Sequence, residues 1–460
     1  MVARLVDSLG STPGMAALFS DESILGAMLA FEVGLARAEA KLGIIPPAAV
    51  AAIEKVAHAE LYDASEIAAA SLRAGAVPIP FVKALTERVR NSDPAAAGFV
   101  HWGATSQDVA DTAMILVLKQ ARDLLRADLM RLETALFQLS ERHAGTVMLS
   151  RTLLQAAVPT TFGLKVAGWL GAVKRGRARL AGAFEEALVL QFGGAGGTLA
   201  SLGDKGATVG EALAKEFSLG YPEAPWHTHR DRMATLMSML GVLTASLGKM
   251  ARDISLLMLN EVGEVAEPVA KGRGGSSAMP HKQNPVGCTL TLAAAYRVPG
   301  LVNTYLTSML QEHERSAGGW QSEWPTISSI VQSAAVAASA MAEVAEGLTV
   351  DANRMRANLD ATRGTIYAER ATIVLGEKLG RDVAFALVER AVGESASTGK
   401  HLVDVLAGMP EVCRALDAAA LQNLRSPESY LGMAEVFRRS LTGSQPMRQQ
   451  GPRNQGGREA

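Results

Sequence analysis

Residues 108–143 read DVADTAMILVLKQARDLLRADLMRLETALFQLSERH, and this stretch decides the fold class. Apolar residues recur through it at helical spacing, over far more than the roughly 11 to 12 residues of an average globular helix. Segments 159–191, 231–262, 285–312 and 325–349 carry the same period at comparable length. Helices this long, apolar on more than one side, need neighbours from other chains as well as their own. They predict an all-α protein with a long central helix bundle over residues 108–350. Pro299 lies inside the fourth segment and predicts a kink there. Methionines 233, 237, 239, 250 and 258 fill gaps in such a core.

On the N-terminal side the periods are shorter. Ser20 is a helix cap with Asp21 and Glu22 in the first turn, and Ile24, Leu25, Met28, Leu29 and Leu35 continue at helical spacing to Gly43 and Pro46-Pro47. Further helices are expected over 48–58, 64–75 and 80–91, separated by glycine and proline. These make an N-terminal helical domain, 1–107. A C-terminal helical domain, 351–443, follows the bundle, and the polar, glycine-rich tail 444–460 reads as disordered. No strand-rich region and no repeat is visible.

Composition excludes several classes of function. The chain of 460 residues has 45 Lys and Arg against 46 Asp and Glu, so neither nucleic acid nor an anionic membrane is expected as a partner. An anionic substrate must therefore be met by local charge. Cys288 and Cys413 are too few for a disulfide framework and fit a reducing, cytoplasmic setting. The first ten residues do not make a secretory signal, and alanine-rich 334–350 is broken by Ser339, Glu343 and Glu346, as in a packed helix rather than a membrane span. No histidine spacing suits zinc, so no metal is expected. Residues 193–197, GGAGG, lack the strand before them that a dinucleotide fingerprint requires, and suit a tight helix end or a close substrate approach instead.

Four segments are polar beyond what a core requires. Residues 274–285 read GGSSAMPHKQNP: glycines for a strain-tolerant backbone, Ser276 and Ser277 for hydroxyls and amide donors, Lys282 and Asn284 for a charge and a neutral donor. That inventory suits a carboxylate and a developing oxyanion. Residues 101–108, HWGATSQD, stand before the long helix; Thr105 or Ser106 can cap it, while His101 and the helix start offer an anion site. In 150–155, SRTLLQ, Thr152 and Gln155 at i, i+3 can share one face and bind a carboxylate. In 311–324, QEHERSAGGWQSEW, Arg315 either grips a carboxylate bidentately or pairs with a neighbouring glutamate.

Together, segments 101–108, 150–155 and 274–285 resemble, in order, the three signature regions of the fumarase/aspartase superfamily, over about residues 1–440. The loop pattern GSSxMPxKxN is highly specific. The resemblance implies a three-domain helical fold, a homotetramer whose active sites are composed from three subunits, a small polycarboxylate substrate and no cofactor. It further implies that Ser276 moves the proton alpha to a carboxylate, and that Lys282 and Asn284 bind the carboxylate that becomes an aci-carboxylate. His101, Thr105, Ser106, Thr152, Gln155, Ser277, Met279, His281 and Arg315 are then substrate-binding, His281 being the residue of this set that the mobile loop can equally leave in solvent.

One departure narrows the expectation. Most superfamily lyases have T-H-x-Q in the second region, where the histidine serves the leaving group or helps position it, and here Leu153 stands in its place. A carboxylate, with a pKa near 4, needs no general base to attack a double bond at neutral pH. With HWGATSQD and HERSAGGWQSEW, the missing histidine resembles the bacterial 3-carboxy-cis,cis-muconate cycloisomerase branch, which implies intramolecular lactone closure. Alternatives are a cycloisomerase of a sulfonated muconate, an adenylosuccinate lyase-like elimination enzyme, and an inactive structural homologue; intact Ser276, Lys282 and Asn284 argue against the last.

Overall fold

A computed structural model describes residues 5–443 apart from 270–273, 276–277 and 280. The expected disordered tail, 444–460, lies outside the described residues. The chain opens with α1 (Pro13–Leu18), α2 (Asp21–Lys41), α3 (Pro47–Val56), α4 (Ala64–Ala74) and α5 (Pro78–Ser92), close to the segments read from the sequence. Local chemistry sets their ends. The Ser20 hydroxyl accepts from the Ser23 N–H to cap α2, Pro46 and Pro47 start α3, and Gly75, at φ +73°, closes α4 in a conformation that disfavours other residues.

Helix α6 (Ser106–Arg142) has 37 residues and so spans about 55 Å at 1.5 Å per residue. The next segment corrects the sequence reading. Residues 159–161 do not begin a long helix but end a hairpin of β1 (Val147–Thr152) and β2 (Gln155–Thr161), antiparallel, with a register irregularity between Leu149 and Arg151. Val158, Thr160 and Thr161 favour extended backbone, and the Thr161 hydroxyl accepts from the Leu164 N–H to start α7 (Phe162–Ala187). Helices α8 (Gly206–Phe217) and α9 (Asp231–Leu257), strand β3 (Val265–Ala266), α10 (Val286–Ser308) and α11 (Gly319–Gly347) follow. Helix α10 runs through Pro299 as one assigned element. Strand β4 (Thr349–Val350) pairs antiparallel with β3. The last part comprises α12 (Ala352–Asp360), α13 (Ala368–Leu379), α14 (Arg381–Thr398), α15 (Leu402–Ala407), α16 (Pro410–Ala415), α17 (Ala418–Asn423) and α18 (Ala434–Thr442). The fold is thus the expected helical one, with, among the described residues, two small two-stranded sheets that the sequence reading did not contain.

Two compact units are distinguished. The first takes residues up to Leu132, Arg175–Arg252 and Val286–Glu343, and its core includes Phe31, Leu35, Phe81, Leu85, Leu190 and Leu213. The second takes Glu133–Lys174, Asp253–Pro285 and the chain from Val344, with Leu375, Leu387, Leu402, Leu406 and Val412 in its core. Helices α9 and α11 are long and apolar enough to cross a membrane by length and composition, but 56% and 67% of those windows are buried in protein. Met233, Met237 and Met250 are among the buried side chains of α9.

Candidate active site

In the first unit the chain enters α6 through two left-handed residues, His101 at φ 60° and Gly103 at φ 73°. Thr105 takes the capping position. Its N–H donates to Asp108 Oδ2 at 3.0 Å, so the fourth residue of the motif reaches back to the first. Asp108 is fully buried and fully engaged: Oδ2 also accepts from the Gly194 N–H at 2.9 Å, and Oδ1 accepts from the Gly193 N–H at 3.0 Å. His227 Nε2 lies 2.7 Å from Oδ1. A side chain at 193 would sit 2.6 Å from Pro225 and 2.8 Å from the His227 ring, so the close approach requires glycine. The glycine run is therefore an amide clamp on the start of α6, not a helix end.

Behind this clamp, Arg230 is buried and binds two carboxylates. Nη1 donates to Asp111 at 2.7 Å, and Nε donates to Glu323 Oε1 at 3.0 Å. Burial opposes its charge, but Asp111 and Glu323 outweigh that and hold its pKa well above the ordinary value. The Tyr305 hydroxyl and Gln311 Nε2 also donate to Glu323, and Trp320 Nε1 donates to Asp111. This network fixes α6, α10 and α11 against one another within the unit.

Arg315 resolves the choice left by the sequence. It does not pair with a neighbouring glutamate: Glu312 accepts instead from the Ala317 N–H and the Ser316 hydroxyl. Its Nη1 donates to Thr105 Oγ1 at 2.9 Å and Nη2 to the Ala195 carbonyl at 3.2 Å, while Nε is buried without a partner. Among the described residues no carboxylate neutralises this guanidinium. It stands at the entrance to α6, where an anion would meet it. Ser106 Oγ, also at that entrance, has no side-chain hydrogen bond among the described residues, and His101 Nδ1 lies 2.7 Å from Glu32 Oε1. A cavity of about 590 Å³ in the same unit, lined by Leu25, Met28, Met114, Trp320 and Trp324, contains none of the expected site residues.

In the second unit, Thr152 and Gln155 are cross-strand partners on either side of a two-residue turn, both exposed, rather than i, i+3 neighbours on a helix. Leu153 and Leu154 form the tip at φ 50° and 67° and are 97% and 78% exposed. Arg151 ties the hairpin down, donating from Nη2 and Nη1 to the fully buried Glu264 at 2.6 and 3.1 Å, and Asn358 Nδ2 donates to the same carboxylate at 2.8 Å. In the loop, both the backbone N–H and the Nδ2 of Asn284 donate to the Gly274 carbonyl, at 2.9 and 3.1 Å, closing its base. Met279, His281 and Lys282 are exposed, and the Lys282 N–H donates to the Met279 carbonyl. Ser276 and Ser277 lie outside the described residues. Among the described residues no group of three or more His, Cys, Asp or Glu could hold a metal ion.

The structure thus gathers His101, Thr105, Ser106 and Arg315 at one helix entrance, and Thr152 with Gln155 at one hairpin tip. Glu32, Asp108, His227 and Glu264 were not singled out as site residues. Glu32 did leave a trace, since Leu25, Met28, Leu29, Glu32, Leu35 and Glu39 follow one helical stripe in which two carboxylates interrupt the apolar pattern.

Residues 9–300 match the family Lyase, and residues 364–440 match Adenylosuccinate lyase C-terminus. A 3-carboxy-cis,cis-muconate cycloisomerase of Bradyrhizobium diazoefficiens is 48% identical over 436 residues, 95% of this chain and 97% of that one. A nitrosuccinate lyase of Streptomyces davaonensis is 46% identical over 447 residues, 94% of each chain. The crystal structure of 3-carboxy-cis,cis-muconate lactonizing enzyme from Pseudomonas putida matches with a TM-score of 0.91 at 46% identity, covering 96% of this chain and 98% of that one.

Proposed function

The chain belongs to the lyase family, and from that membership we propose that it is an intramolecular lyase interconverting 3-carboxy-cis,cis-muconate and 4-carboxymuconolactone, a step of protocatechuate breakdown. The observation that carries this reading is Leu153, which takes the place of the histidine that most of the resembling lyases carry in this motif and stands exposed at the hairpin tip. Leucine neither gives nor takes a proton. A reaction whose leaving group is an already ionised carboxylate of the same molecule needs none.

In the lactone-forming direction, one substrate carboxylate oxygen bonds to a carbon of the double bond. The π electrons move to the neighbouring alpha carbon and its carboxyl group, giving an aci-carboxylate. Ser276 delivers a proton to that carbon, and in reverse removes it. Lys282 and Asn284 stabilise the doubly charged carboxyl group, with preorganised donors contributing about 3 to 4 kcal/mol each. Tethering of nucleophile and acceptor supplies part of the acceleration. Arg315, Thr105, Ser106 and His101 bind substrate carboxylates, and Thr152, Gln155, Ser277, Met279 and His281 are further substrate-binding residues. The catalytic step uses no cofactor.

We further propose a cytoplasmic homotetramer with sites composed from several subunits, and the three-domain division 1–107, 108–350 and 351–443. Two leucines held left-handed and almost bare at the end of a hairpin support a partner surface there, since isolated they combine backbone strain with exposed apolar area.

The test is ultraviolet absorbance on mixing with 3-carboxymuconate, 4-sulfomuconate, adenylosuccinate and nitrosuccinate in separate cuvettes. Loss of the diene absorbance with 3-carboxymuconate at a turnover well above the other three is expected. Turnover of adenylosuccinate or nitrosuccinate with silence on the muconates overturns the reading.

A further inference from the structure

Glu32 lies on the buried face of α2 and is 2% exposed. Its Oε1 is 2.7 Å from His101 Nδ1, and its Oε2 is buried without any hydrogen-bond partner. His101 is held in a left-handed backbone conformation, its side chain keeps 17% exposure, and its Nε2 has no partner among the described residues. One ring nitrogen is thus fixed inside the protein and the other is left available. Such strain at a non-glycine residue persists where the surroundings over-determine the conformation.

We propose that Glu32 is a positioning residue for the reaction: by holding the Nδ1–H of His101 it presents Nε2–H, on a charged imidazole, to one carboxylate of the tricarboxylate substrate. This rests on the assignment of His101 as a substrate contact in the preceding section. The charged groups facing His101 are Glu32 and, behind it, Glu39 on α2, together with Asp108 at the start of α6; Arg315 stands beside Thr105. Burial pulls the His101 pKa down, but Glu32 chiefly, and then Asp108, push it up further, so it ends above the ordinary value. Asp108 is already bonded to His227, Gly193, Gly194 and Thr105, which leaves Glu32 as the direct partner. Burial, and then Glu32, push the Glu39 carboxyl up to about 8, so at neutral pH it adds no second full negative charge behind the pair. An aspartate here would fall short of Nδ1, and a glutamine would keep the contact while removing the charge.

The sign of the effect follows. While His101 is protonated it both donates and attracts; once it loses its proton, the Nδ1–H stays on Glu32 and Nε2 becomes an acceptor that repels a carboxylate. The KM for 3-carboxymuconate is therefore expected to rise as pH climbs through the His101 pKa, with kcat changing little. In Glu32→Gln, burial is no longer outweighed, and that rise starts at a lower pH. On the alkaline side of that titration the variant's KM stands several-fold above the parent's, and on the acid side the two converge. His101→Gln raises KM at every pH and removes the limb, and adding Glu32→Gln to it changes nothing more.

Isothermal titration with propane-1,2,3-tricarboxylate at pH 6 and pH 8 gives the same comparison without turnover. Weaker binding for Glu32→Gln chiefly at pH 8 supports the proposal. A pH-independent loss, a loss confined to kcat, or an added loss in the double variant overturns it in favour of a structural role. Unchanged KM and tricarboxylate affinity in His101→Gln overturn the substrate contact itself, whereas failure of the cycloisomerase reading appears separately, as a parent protein without muconate turnover.

Discussion

Glu39 is fully buried on α2, and neither of its carboxyl oxygens has a hydrogen-bond partner. Desolvation, with Glu32 as a further cause, raises its pKa from an ordinary 4.5 to about 8. Between those values the folded chain keeps a proton that the unfolded chain releases, so this residue makes stability fall as pH rises, by about 1.4 kcal/mol per pH unit. Glu39→Met, of similar volume and without charge, is expected to melt higher than the parent, with a larger gain at pH 8 than at pH 5; an equal gain at both refutes the buried-acid account. At this scale the sequence was partly legible. Thr105 and Arg315 stood out because polar groups before a long apolar helix need a reason. His227 and Glu32 did not, because their partners Asp108 and His101 are 119 and 69 positions away and nothing local announces them.

The hairpin of β1 and β2 is the element that the sequence concealed. Leu153-Leu154 is an improbable pair for a two-residue turn, since positive φ costs an L-residue about 1 to 2 kcal/mol and such turns favour asparagine and glycine. Read without that turn, the segment leans towards a helix, which is why Thr152 and Gln155 were placed one helical turn apart instead of face to face. What holds the hairpin is the distant Glu264, reached by Arg151 across 113 positions. Arg151→Met strands a fully buried carboxylate with Asn358 as its remaining side-chain donor among the described residues, and is expected to cost about 3 to 5 kcal/mol in denaturant unfolding. Adding Glu264→Met to it should recover most of the loss, because the unpaired charge is then gone. A double variant as unstable as the single one would assign the loss to packing rather than charge.

At the scale of the whole molecule, each compact unit collects three separate stretches of chain, because helices as long as α6 and α11 contribute different ends to different clusters. The same length is the reason for expecting association. Light scattering should return a mass four times the 48.3 kDa of the chain, and dilution that dissociates the assembly should remove muconate turnover along with it. A monomer with full activity would refute the composite site. The sequence by itself determined the helical class, the approximate limits of the capped N-terminal helices and the residue types of the candidate site, because period, caps and motif spacing are properties of neighbours along the chain. The tertiary structure alone decided that Glu32 holds His101, that Asp108 is clamped by two glycine amides and His227, that Arg315 has no carboxylate partner among the described residues, and that Arg151 anchors the hairpin. Those pairings join residues tens to hundreds of positions apart, and burial in an apolar interior, which makes them strong, exists only once the chain has folded.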